Sequence, residues 1–113
     1  MRWLLLFALT LAACSKGPEA DLPSVGEARS LAAEWALVND LASQGKLTST
    51  YVQTMRKSVR ERLQTASRSL TQPESAYATE IATVLREPDD APRERLRAHA
   101  EKLKRFEDGL ESA

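Results

Sequence analysis

The chain has 113 residues, with 16 Lys and Arg balancing 16 Asp and Glu, 42% hydrophobic residues, one Cys and one His. That length allows one small domain, and zero formal charge argues against a general nucleic-acid binder. The lone Cys excludes an internal disulfide or a cysteine-cluster metal site, and the lone His excludes a multi-histidine zinc site.

Met1-Arg2 supplies a positive charge, Trp3 to Leu11 is apolar apart from Thr10, and the small residues Ala12-Ala13 stand directly before Cys14. An apolar run this short cannot span a bilayer, which takes about 20 helical residues. Residues 1–13 therefore read as a secretory signal rather than as an N-terminal core helix. Over Leu11-Ala12-Ala13-Cys14 the chain resembles the lipobox of bacterial lipoproteins, with all four positions matching. The resemblance implies cleavage between Ala13 and Cys14, diacylation of the Cys14 thiol and, usually, acylation of the new amino group. Each buried CH₂ contributes about 0.8 kcal/mol, so two or three acyl chains would hold the protein at the membrane permanently. By resemblance to enteric lipoproteins, an Asp after the Cys would retain the protein in the inner membrane. Ser15 stands there instead, which favours the outer membrane with the body facing the periplasm. No cofactor is expected beyond the covalent lipid on Cys14.

Residues 14–23, with Gly17, Pro18 and Pro23 and no apolar period, read as the lipidated Cys and a flexible tether with an r.m.s. span of about 17 Å. Residues 24–113 read as a helical domain. Ser24 and Glu27 form an S-x-x-E capping box that opens a first helix, with Ala28, Leu31, Trp35, Val38 and Ala42 on one face and Gly45 ending it. A second helix opens at Thr48, with Leu47 and Val52 at staple spacing, and continues through Met55, Val59, Leu63, Ala66 and Leu70. A third is predicted to start at the Thr71-x-x-Glu74 box, to bury Tyr77, Ile81, Val84 and Leu85, and to stop before Pro88. Asp90 is the predicted cap of a fourth, along which Leu96, His99, Leu103, Phe106 and Leu110 step by three and four. No alternating β-branched run nominates a strand. The fold expected is all-α, a small antiparallel bundle of three to four helices.

Charge is uneven along the body. Residues 46–70 carry a net +5, whereas residues 15–45 and 71–113 each carry −3. Arg56, Lys57 and Arg60 on the second helix are thus a candidate interaction surface for anionic headgroups or an acidic partner. The plainer reading, preferred here, is that they answer acidic neighbours within the chain.

Catalytic constellations are absent from the sequence: there is no Gly-rich phosphate loop, G-x-S-x-G or H-E-x-x-H. His99 could work with Asp89, Asp90 or Glu94, but its place on the apolar seam suits a half-buried structural His. An enzyme using carboxylates would have to be built on Glu80, Asp90 and His99. The pairs Asp89-Asp90 and Glu107-Asp108 read as solvated caps, and no metal site is expected. Trp35 is expected in the core; Tyr51 suits either the core or an interface.

The function expected is non-enzymatic: a lipid-anchored module of the cell envelope, held to the membrane by acyl chains and binding another envelope protein. In size and anchoring it is similar to the pilotins of type II secretion, which escort an outer-membrane secretin subunit, although it lacks the extra cysteines found in many of them. A self-associating structural lipoprotein, a homo-oligomer zipped along the fourth helix, is the alternative.

Overall fold

The computed structural model describes residues 17–112. The proposed signal, its cleavage site at Ala13 and the lipidation site Cys14 lie outside the described residues. A short 3-10 turn, Pro18–Asp21, leads into helices α1 (Leu22–Ser43), α2 (Ser49–Arg68), α3 (Ala76–Leu85) and α4 (Arg93–Glu111), with no strand among the described residues. The all-α antiparallel bundle is the observed architecture. None of these helices is long and apolar enough to cross a membrane.

α1 is the central element. Arg62 of α2 bonds to Glu27 and Arg56 of α2 to Asn39, so α2 runs antiparallel to α1. Glu107 of α4 meets Arg29 while Arg93 meets Asp40, so α4 is antiparallel to α1 as well. The shorter α3 packs on α2 and α4. Val25, Leu31, Trp35, Val59, Leu63, Ile81, Val84, Leu96 and Leu103 are all fully buried between the four helices. Each such side chain contributes about 1.5 to 3 kcal/mol relative to exposure. Phe106 and Leu110 pack on the edge of this core. Phe106 meets Tyr77 edge-on at 6.3 Å between ring centroids, joining α4 to α3.

Helix ends follow local chemistry in some places and tertiary contacts in others. After α1, the Lys46 amide donates to the Leu41 carbonyl and the Gly45 amide to that of Ala42, a Schellman closure that needs the left-handed Gly45, at φ 70°. Thr48 caps α2 through its hydroxyl, which accepts from the Tyr51 amide. Three expected starts differ. α1 begins at Leu22 rather than at the Ser24 box, and Glu27 pairs with Arg62 at 2.6 Å instead of reaching back to a cap. α3 is capped by Ser75, whose hydroxyl accepts from the Ala78 amide, and not by Thr71. α4 begins after Pro92 with no side-chain cap; Asp90 stays exposed ahead of it.

The reason for the first two differences is Asp21. Its side chain is fully buried, and it accepts from the Thr71 amide at 2.7 Å, the Gln72 amide at 3.1 Å and the Tyr77 hydroxyl at 2.6 Å. The Thr71 hydroxyl in turn donates to the Gly17 carbonyl. Residues 17–23, expected to be tether, are therefore part of the folded body. The Thr71 amide, which Glu74 would satisfy in a capping box, is already satisfied from across the bundle.

Burial alone would push the Asp21 carboxyl up, but the bonds from Tyr77, Thr71 and Gln72 outweigh it and hold the group below its ordinary value. Burial and the same carboxylate push the Tyr77 hydroxyl up. A carboxyl lowered in the folded state stabilises above its unfolded pKa, and that contribution is lost as pH falls through the lower folded value. Asp21→Ala is expected to cost about 1 to 3 kcal/mol at neutral pH, because it leaves buried donors unmet. Urea denaturation from neutral to acid pH should show the wild type losing its advantage over the variant at the acid end. A constant difference would remove the carboxylate from the account.

Candidate functional site

His99 lies on the α4 face turned toward α3, with only 14% of its side chain exposed. Its Nδ1 stands 2.5 Å from a Glu80 carboxylate oxygen and its Nε2 stands 2.8 Å from one of Glu87. Lys102 Nζ lies 3.5 Å from the other Glu80 oxygen, and Arg95 Nε donates to Glu87 at 2.8 Å. Burial raises the Glu87 carboxyl, yet the His99 and Arg95 bonds prevail and hold it below the usual carboxylate value. The partners weighed from the sequence, Asp89, Asp90 and Glu94, are not the ones the fold supplies. Glu80 could have been found: with Tyr77, Ile81 and Val84 it falls on the apolar face of α3, where a carboxylate needs a donor opposite. Both ring nitrogens face carboxylates. The cluster is a clasp joining α4 to α3 and to the connection after it. Among the described residues no group of three or more His, Cys, Asp or Glu is placed to hold a metal ion.

The basic second helix divides by residue. Arg60 stacks over Trp35, its guanidinium carbon 4.9 Å from the ring centroid. It donates to the Leu85 and Glu87 carbonyls at 2.8 and 3.0 Å and to the Asp89 carboxylate at 2.7 Å. Arg56 Nε donates to the Asn39 side-chain oxygen at 2.9 Å, and Asn39 itself donates to the Asp89 and Ala91 carbonyls. Two of the three candidate surface cations are therefore bound to the chain's own groups, and Lys57 alone of the three is exposed. Trp35 is buried, as its spacing required, and its indole N–H donates to the Asp89 carbonyl at 3.0 Å. Tyr51 is half exposed.

A third feature carries no sequence motif. Between α1 and α4, on the side away from α3, runs a groove of about 370 Å³ whose apolar floor is Ala33, Ala36, Leu37 and Ala100. Leu37 is 56% exposed; it and Tyr51 are the two large hydrophobic side chains most open to solvent among the described residues. Arg97 and Lys104 stand on the α4 rim of this groove.

Arg60 and Lys57, three positions apart on one helix, should respond very differently to neutralisation. Arg60→Gln is expected to destabilise by about 1.5 to 3 kcal/mol, the range for hydrogen bonds made by a charged group. Lys57→Gln should fall within about 0.5 kcal/mol of wild type. Chemical denaturation of both variants checks this; equal small effects would return Arg60 to the solvated surface.

No family model, curated protein or solved structure matches the chain.

Proposed function

We propose that the chain is a bacterial lipoprotein: a helical body carried on an acylated Cys14 at the outer membrane, facing the periplasm and binding another protein of the envelope. The observation that carries this is the signal-like N-terminus ending in Leu11-Ala12-Ala13-Cys14. A lone thiol placed there is a substrate for alkylation, with no second Cys in the chain to pair with. Two features of the body support an interaction role over catalysis. The buried titratable cluster at His99 is occupied by contacts between helices, with both ring nitrogens committed. Leu37, one of the two large hydrophobic side chains most open to solvent among the described residues, lies by contrast in an open groove between α1 and α4.

Mass spectrometry of the protein extracted from membranes is expected to show a chain beginning at Cys14, heavier by two or three acyl groups. Cys14→Ala should block maturation or release the protein from the membrane fraction. An unmodified Cys14 thiol in mature protein would overturn the lipoprotein reading.

A further inference from the structure

The folded body begins three residues after Cys14. Gly17 opens the 3-10 turn Pro18–Asp21, and its carbonyl accepts from the Thr71 hydroxyl at 3.1 Å. Asp21 is held from across the bundle by the Thr71 and Gln72 amides and the Tyr77 hydroxyl. Three Cα-to-Cα steps, even fully extended, reach about 11 Å. The last turn of α2 and the C-terminal part of α4 complete this end of the bundle, since Pro23 lies beside Ser69 and Arg29 meets Glu107. The turn at Gly45 is at the other end, about 33 Å away along the 22 residues of α1. Exposed side chains at the Gly17 end are small or polar, among them Pro18, Glu19, Arg68, Gln72, Glu74 and Glu111. Leu37 and Tyr51, the large hydrophobic side chains most open to solvent, both lie in the half of the bundle nearer Gly45.

We infer that the Gly17 end of the bundle is the surface that rests on the lipid headgroups, with α1 standing away from the bilayer and the Gly45 turn directed into the periplasm. The inference rests on the acylation of Cys14 proposed above and says how that acylation places the body. A Cys carrying acyl chains lies at the membrane surface, so the three-residue link keeps the Gly17 end within about 11 Å of it. A flexible tether running to residue 23, with an r.m.s. span of about 17 Å, would let any face of the body turn toward lipid. The bonds to Asp21 remove that freedom, because they take residues 17–23 out of the link. Having no large apolar side chain exposed, the Gly17 end sits at headgroup depth and does not bury itself among the acyl chains. The flanks of the bundle give little to hold it flat. Arg56, Arg60 and Arg62 of α2 are engaged within the chain, and α4 mixes both signs of charge along its length. Standing upright leaves Leu37 and Tyr51 clear of the bilayer, open to a protein partner.

Fluorescence quenching on vesicles tests this with the mature protein extracted from membranes. Acylation consumes the Cys14 thiol, so a cysteine introduced elsewhere is the only one that takes a label. Gln72→Cys puts a dye at the Gly17 end, beside Pro18, and Lys46→Cys puts the same dye at the far end; both positions are exposed. The vesicles are phosphatidylcholine and phosphatidylethanolamine, with a nitroxide-headgroup lipid as the quencher. The expected result is quenching several-fold stronger at position 72 than at position 46, in protein whose mass shows Cys14 acylated. Inserting a Gly-Ser linker of about ten residues between Lys16 and Gly17 leaves the contacts of the bundle in place and should bring the two positions close to equal. Without the insertion, equal quenching, stronger quenching at position 46, or none at either position on vesicle-bound protein would overturn the orientation and leave the lipoprotein reading standing. A difference between the positions that the insertion does not reduce would overturn the short link as its cause. An unmodified Cys14 in the extracted protein would overturn both readings.

Discussion

The fold turns on how the connection between α3 and α4 is held. Its carbonyls at Leu85, Glu87, Asp89 and Ala91 point back into the bundle, and a carbonyl turned away from water needs a donor. Three side chains provide them: Arg60 to Leu85 and Glu87, the Trp35 indole to Asp89, and the Asn39 amide to Asp89 and Ala91. Asn39 then accepts from Arg56, so both its donors and its acceptor are used. This fixes where Ala91, itself buried, enters the core and hence where α4 starts its return along α1. The groove between α1 and α4, the His99 clasp and the register of Arg29 with Glu107 all follow from that starting point.

The same network answers why a basic helix sits between acidic neighbours. The positive charge of α2 is largely spent inward, on carbonyls, on the Trp35 ring and on Asp89 and Glu27. The acidic residues of the 71–113 stretch include Glu80 and Glu87, which are turned toward His99 and its cationic neighbours. The exposed pairs among these, such as Arg62 with Glu27, add little to stability individually. What they do is favour the observed placement of α2, whose cations meet carboxylates of α1 and of the α3–α4 connection.

Local chemistry was readable wherever it acted alone. Gly45 and Thr48 ended and opened helices as their types require, and the three-and-four spacing placed Trp35, Leu63, Ile81, Leu96 and Leu103 in the core. Reading failed where a distant side chain took over a local role. Thr71 and Glu74 make a sound capping box, but Asp21, fifty residues away in the chain, already satisfies the Thr71 amide. The same carboxylate turned seven residues of supposed tether into structure, because Gly17, Pro18 and Pro23 are as compatible with a 3-10 turn and a helix start as with a coil. Asn39, Glu80 and Arg60 were visible as polar residues on or beside apolar faces, which announces a partner without naming it. The groove was the least legible feature, since it exists only once α4 has been placed against α1.

Asn39 is the residue on which the position of the connection, and with it of α4, depends. Hydrogen–deuterium exchange of the full chain carrying Asn39→Leu, a change that keeps side-chain bulk and removes its hydrogen bonds, tests that dependence directly. Amides from about residue 86 to 96 are expected to exchange faster by on the order of tenfold, with those of α2 little changed. Protection of that segment equal to wild type would contradict the claim that this residue holds the connection and sets the position of α4.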